Sequence, residues 1–326
     1  MVTVKELQEQ ISKITPKYSL LTVDELEYVP VSGDGLTDGI LRKSTGEMLA
    51  FGEEGFANFS SFLGAPASFM KNKLTGAMKK DIFDHLSSKL VGHEATMVHI
   101  DGSFQNILTA DKLILPPDQV VEMISKVFQP EDVISKIDLR NGMVVSVRTG
   151  TVESAIKVGD ITQGGVRFET IYGKSPNVSA YLERLVCRNG MVATSDLDQI
   201  PLKGYTLAEV LSSMQAMADH YLTSSIPNYL DNWKKMTSIT TTNAEQLIHR
   251  LSKEAGLSTK IESRIIEAAA SLEDSSYFDV VNLITSFQHE EGVDTTQFNK
   301  LQQLGGNAIR DLGGHRCNNC QHNLDA

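Results

Sequence analysis

The residue types best suited to chemistry lie at the end of the chain, in His315-Arg316-Cys317-Asn318-Asn319-Cys320-Gln321-His322. Cys-x-x-Cys is the spacing at which two thiolates turn back onto one zinc ion. Cys317 and Cys320, with His315 and His322, put four possible ligands within eight residues. One residue separates His315 from Cys317, and one separates Cys320 from His322, so a single chain presents all four tetrahedrally only under strain. The spacing therefore predicts a zinc half-site, completed by His289, His249 or the tail of another subunit, against the alternative of a solvated, reducible tail without metal. If zinc binds, its role is structural, because thiolate-rich sites are closed to substrate. A thioredoxin-like redox role would need a strand-to-helix junction, whereas this tail follows a predicted helix. The remaining cysteine, Cys187, is flanked by Leu185 and Val186 and reads as an inert buried thiol.

A second group is cationic. Arg140, Arg148, Arg167, Arg184 and Arg188 fall in one β-rich stretch, with Phe168, Tyr172 and Tyr181 among them. Arginines on hairpins can line a groove that follows phosphates, and neighbouring aromatics can stack on bases. Arg140, Arg148, Arg184 and Arg188 are the candidate nucleic-acid-binding residues; the alternative is ordinary surface arginines paired with acids. Residues 91–200 carry 10 basic and 14 acidic side chains, and the whole chain has a formal net charge of −11. That balance excludes a protein coating duplex DNA through a broad basic face but leaves room for a confined groove.

No Gly-Lys-Ser/Thr phosphate loop, dinucleotide fingerprint, His-Glu-x-x-His or Gly-x-Ser-x-Gly occurs, so no motif argues for an ATPase, dehydrogenase, metalloprotease or serine hydrolase. Acid pairs such as Glu53-Glu54, Glu273-Asp274 and Glu290-Glu291 read as solvated surface. The reading is non-enzymatic, with no catalytic residue assigned.

The elements that must position these groups follow from periodicity. With 326 residues, of which 41% are hydrophobic and 22% charged, the chain can bury a core without staples. Leu7, Ile11 and Ile14 give an N-terminal amphipathic helix. Short apolar runs punctuated by glycine follow over 18–51, then helical spacing over 56–90 with a break at Pro66. Asp101-Gly102 and Asn141-Gly142 each sit between apolar runs and predict tight hairpins, as does Asn189-Gly190. A helix is expected over 117–128. The pentapeptide Arg-Asn-Gly-Met-Val occurs at 140–144 and again at 188–192; recurring turn chemistry accounts for the echo without a duplication. Beyond Pro201 the spacing is helical, with capping boxes at Thr206/Glu209, Thr242/Glu245 and Thr259/Glu262. Trp233 is expected in the core. The fold class is α+β: a β-rich N-terminal and central region with inserted helices (1–200), a C-terminal helical bundle (201–314) and a Cys/His-containing tail (315–326).

From Gly159-Asp160 through Gly165-Val166-Arg167-Phe168 to Tyr181-Leu182-Glu183-Arg184-Leu185-Val186-Cys187-Arg188-Asn189-Gly190-Met191, the chain resembles a phage- and plasmid-borne family known as domain of unknown function 932. The likeness covers about residues 94–195, with Arg-Leu-Val-Cys-x-Asn-Gly its most specific part. It departs at Glu169-Thr170, where the family tends to carry Asn-Ser. The resemblance implies a mobile-element or viral gene acting in a host cytoplasm, and an accessory of DNA replication or recombination that binds single strands or DNA-handling proteins; a homo-oligomer is expected separately. A virion structural or assembly protein and a host-defence antagonist are the alternatives. No apolar run reaches the roughly 20 residues of a membrane helix, and Met1 to Thr15 is polar, unlike a signal peptide. The zinc expectation has its own test: elemental analysis of reduced protein should find metal, and less than about a tenth of an equivalent removes it.

Overall fold

The computed structural model describes residues 2–14, 16–30, 38–157, 160–185, 192–202, 206–241, 243–270, 272, 275–310 and 312. The chain starts with β1 (Val2–Thr3) and α1 (Val4–Ile11), whose Thr3 and Glu6 form a reciprocal cap and whose Val4, Leu7 and Ile11 are buried. It then builds a sheet from β2 (Lys17–Thr22), β3 (Leu26–Val29), β4 (Gly39–Arg42) and β5 (Glu47–Phe51). Helices α2 (Gly55–Phe62), α3 (Ala67–Lys73) and α4 (Gly76–Ser87) interrupt it before β6 (Glu94–Ile100) and β7 (Ser103–Thr109) complete it. The break falls at Pro66, which serves as the N-cap of α3.

This sheet has the order β2-β6-β7-β5-β4-β3, antiparallel except for β5 against β7. The Asp101-Gly102 hairpin forms as expected, with both residues at positive φ, 48° and 77°. One face of the sheet meets α2 and α4 through an aromatic cluster in which Tyr28, Phe51, Phe56, Phe59, Phe83 and Phe104 lie 4.8–6.5 Å apart, ring centre to ring centre. Burying such rings supplies much of this small core.

After α5 (Pro117–Val127) the chain turns to a larger sheet, made of β8 (Val133–Asp138), β9 (Gly142–Lys157), β10 (Asp160–Ile171), β11 (Asn177–Leu185) and β12 (Val192–Pro201), with β1 at its edge. All pairings are antiparallel. Asn141-Gly142 closes the β8–β9 turn, with Gly142 at φ 95° where an added Cβ would strike the backbone of Thr170 and Ile171. Asn189-Gly190, Gly33-Asp34-Gly35 and Cys187 lie outside the described residues.

Period-two alternation splits this sheet into two unlike faces. Met143, Val145, Val147, Val166, Phe168, Val178, Ala180 and Leu182 are buried on one face. Their sequence neighbours Ser146, Arg148, Arg167, Ser179, Tyr181 and Glu183 stand on the other. The apolar face is covered by α1, α5 and the C-terminal helices.

Those helices are α6 (Leu207–His220), α7 (Ile226–Lys235), α8 (Ala244–Ala255), α9 (Thr259–Ala269), α10 (Tyr277–Ser286) and α11 (Thr295–Arg310). The Thr206/Glu209 capping box forms, but the other two caps sit one residue away from the predicted pairs. Asn243 caps α8 and Ser258 caps α9, so Thr259 becomes the first helical residue. Either neighbour could have supplied the oxygen, and backbone direction decided between them. Between α6 and α7 the helix widens to a π-turn, Tyr221–Ser225, in which the Ile226 N–H reaches the Tyr221 carbonyl five residues back. Pro227 follows, and its missing N–H could not have continued an ordinary ladder. Trp233 is buried as expected, 4.8 Å from Phe278, ring to ring.

One apolar cluster runs without interruption from Val4 and Ile124 through Val145 and Phe168 to Trp233, Ile284 and Ile309. The α+β class is as expected: two sheets, then helices in the C-terminal part.

Gly165 is the position on which the polar face depends. It lies directly across from Arg148 on β9 and Tyr181 on β11. A Cβ there would collide with the Tyr181 ring and stand 2.6 Å from the Val147 carbonyl. Glycine thus lets the ring lie flat across the strand. Gly165→Ala should destabilise the protein by about 1–3 kcal/mol, read as a lowered urea midpoint; an unchanged midpoint would mean that the ring has room elsewhere.

Candidate functional site

The polar face of the large sheet carries a cleft of about 400 Å³. Its floor is formed by Arg148 and Tyr181, which flank Gly165 across β9, β10 and β11, with Ser146 and Arg167 of the next row and Glu183 beside them. A register shift between Ile134 and Lys136 on β8 leaves an extra residue, and both Ser135 and Lys136 line the cleft. A bulge of this kind turns two successive side chains toward one side, which regular alternation forbids. The remaining wall comes from Phe298, Asn299 and Gln302 of α11. That helix runs along β12 and buries Leu301, Leu304 and Ala308 in the main core, so its flanking residues are held at the rim of the cleft.

Polar contacts hold the floor rigid. The Arg148 Nη1 donates to Glu183 Oε1 at 2.5 Å, and the two side chains are 17% and 9% exposed. Arg167 Nε donates to Ser146 Oγ at 3.2 Å, and its guanidinium carbon stands 5.9 Å from the centre of the Tyr181 ring. The Tyr181 hydroxyl shares a hydrogen bond of 2.8 Å with Ser135 Oγ. Burial raises the Tyr181 pKa above its ordinary value, so the phenol is a neutral hydrogen-bonding group rather than a base. Lys136 is exposed at the mouth. Among the described lining side chains, Lys136, Arg148 and Arg167 face a single carboxylate, Glu183. Such a lining attracts an anion, and the volume suits one of nucleotide size.

Of the four candidate nucleic-acid-binding arginines, Arg148 alone lines the cleft with its side chain described, beside Arg167 of the wider cationic group. Arg140 stands at the β8–β9 turn, six strand residues and about 20 Å from Arg148. Its guanidinium is held by Asp138, with Nη2 to Oδ2 2.5 Å, and by Glu53 at 3.3 Å. This clamp ties the large sheet to the loop before α2, and Asn106 of β7 donates to Asn141 Oδ1 at 2.6 Å. Strand length thus separates Arg140 from Arg148, and two carboxylates engage it, so the structure does not bring these two candidates together. Arg184 follows Glu183 on β11, its backbone opposite Thr162 and Ala193, with its side chain outside the described part. Arg188 lies outside the described residues.

His315, Cys317, Cys320 and His322 also lie outside them. Among the described residues, no three His, Cys, Asp or Glu side chains come close enough to hold a metal. His249 is exposed, its Nδ1 2.6 Å from Glu262 Oε1, and the His289 side chain is outside the described part. No helix of the described residues is long and apolar enough to cross a membrane.

Sequence reasoning noticed Arg167 and Tyr181 but missed Ser135, Lys136, Ser146, Glu183, Phe298, Asn299 and Gln302. The alternation of Ser146 with Arg148, and of Tyr181 with Glu183, was the available signal for the floor. Nothing in the sequence tied α11 to it. No protein-family model matches the chain, and neither a curated protein nor a solved structure matches it.

The Arg140 clamp has a measurable signature. Hydrogen bonds from Arg140 are the main cause that holds the Asp138 carboxyl down to about 2, from 3.8. Its stabilisation is complete above the ordinary value and lost as pH falls through about 2. Carboxyl-carbon NMR should give an Asp138 midpoint near 2 that climbs toward 3.8 in Arg140→Gln; an unmoved midpoint would remove the clamp.

Proposed function

We propose that the protein is a non-enzymatic accessory of DNA replication or recombination that holds single-stranded nucleic acid in the cleft on the large sheet. The observation that carries this reading is the convergence of Lys136, Arg148 and Arg167 beneath a half-buried aromatic, Phe298. Phosphates sit against the cations, and a base lies against the ring, the combination by which single strands are held. Local attraction prevails over the net charge of −11 because exposed charges beyond a Debye length of about 8–10 Å are largely screened. Arg184 and Arg188 stay in the proposed contact set on sequence grounds alone. Arg140, engaged by Asp138 and Glu53, is assigned no phosphate.

The resemblance to domain of unknown function 932 supports the same direction, since it implies a phage or plasmid gene and a host cytoplasm; a homo-oligomer is part of the proposal. A structural zinc at Cys317 and Cys320, with His315 or His322, belongs to the proposal as a device for the tail or for subunit contact.

Fluorescence anisotropy with a labelled single-stranded oligonucleotide across a salt series tests it. Binding should weaken steeply with salt. Lys136→Gln and Arg167→Gln should each lower the slope of log affinity against log salt by about 0.7, the value for one phosphate contact on a single strand. Arg148 is tested as the double variant Arg148→Gln/Glu183→Gln, because removing one partner of a buried ion pair costs about 3–5 kcal/mol and would confuse stability with binding. Absent or salt-independent binding overturns the proposal.

A further inference from the structure

The cations of the cleft are arranged as a long phosphate track would not require. Lys136, Ser146, Arg167 and Ser179 are successive partners across β8, β9, β10 and β11. Lys136 and Arg167 therefore stand two strand spacings, about 10 Å, apart, with the small side chain of Ser146 between them. Ser146 is 2% exposed and accepts from Arg167 Nε, so it forms the bottom of that gap. Arg148, two residues along β9 from Ser146 and on the same face, closes the gap from the next row. Three cations thus border one hollow instead of following one another along an edge. Glu183 balances one of them, which leaves a formal charge of +2 among the described lining side chains.

Size and charge together discriminate among the phosphates of a strand. A cleft of about 400 Å³ encloses a single nucleotide, whereas a strand held along its length needs a groove spanning about 4–16 nucleotides. A phosphodiester inside a strand carries one negative charge and offers two unbridged oxygens. A terminal phosphate monoester carries about −1.5 to −2 near pH 7 and offers three. The monoester matches both the charge of the hollow and the number of cationic side chains around it. We infer that the cleft captures the phosphorylated end of a strand, with the terminal phosphate over Ser146 among Lys136, Arg148 and Arg167 and the terminal base against Phe298. This inference rests on the nucleic-acid reading of the cleft and deepens it. The chemistry is common to 5′- and 3′-phosphates, and the test separates them.

The test uses the full chain with internally labelled oligo-dT bearing a 5′-phosphate, a 3′-phosphate or hydroxyls at both ends, and thymidine 5′-monophosphate as a competitor. One phosphorylated oligomer should bind roughly tenfold tighter than the hydroxyl-ended one at low salt, the gain expected of charge-assisted hydrogen bonds to the added group. A methyl ester on that phosphate, which removes one charge and keeps the position, should cancel most of the gain. Lys136→Gln, at an exposed position that the fold tolerates, should narrow the preference; equal weakening of all three oligomers would remove Lys136 from the seat of the terminal phosphate. Equal binding of the three oligomers by the unaltered chain overturns end capture while strand binding stands. If thymidine monophosphate binds and no oligomer does, strand binding and end capture both fall and a mononucleotide site takes their place. If nothing binds, both fall.

Discussion

The ion pair between Arg148 and Glu183 is the interaction around which the polar face of the large sheet is organised. Its side chains are 17% and 9% exposed, and taking two charges that far out of water costs several kcal/mol per ion before attraction returns any of it. Apolar residues of similar volume would hold a fold at least as well. The pair persists in a geometry set by its surroundings: Arg148 faces Gly165, so no side chain separates it from the next strand, and Tyr181 lies flat across that gap. Ser135, turned inward by the bulge on β8, bonds the Tyr181 hydroxyl, and Ser146 accepts from Arg167. Arg148, Arg167 and Tyr181 are each held by a polar neighbour, which makes the face rigid and leaves a charged concavity instead of a second apolar layer.

That concavity exists because the two faces of the sheet have different covers. The apolar face is filled by α1, α5 and the C-terminal helices, which share one continuous core with it. Among the described residues, the opposite face receives the flank of α11, a helix committed to the main core through Leu301, Leu304 and Ala308. Phe298 and Gln302 stand at the rim as a consequence of that packing. A helix held this firmly gives fixed positions to the ring and carboxamide, and a site built on such elements pre-orients whatever enters it. The N-terminal unit contributes at a distance: Glu53 of the loop before α2 engages Arg140 and Asn106 of β7 engages Asn141, so the turn that starts β9 is anchored from outside its own sheet.

Local chemistry made much of this fold readable in advance. Asp101-Gly102 and Asn141-Gly142 both close hairpins, the first with both residues and the second with Gly142 at positive φ, and Thr206 with Glu209 caps α6. The caps of α8 and α9 were each misplaced by one residue, because Thr242-Asn243 and Ser258-Thr259 offer adjacent hydroxyl or amide oxygens and only the path of the chain selects one. Arg140 and Arg148 looked equivalent as cations on neighbouring turns of sequence, yet one is a clamp between sheets and the other lines a cleft.

The sequence alone determined the α+β class, the two main hairpins, the helical character beyond Pro201 and the burial of Trp233, since each follows from residue spacing or from the φ preference of a few side chains. The tertiary structure decided which polar residues meet. A bulge that places Ser135 beside Lys136, a glycine that admits the Tyr181 ring, and a helix that brings Phe298 and Gln302 to strands more than a hundred residues earlier are matters of register and packing. Side chains so far apart along the chain become neighbours only when the backbone closes between them, and no period or propensity encodes that distance.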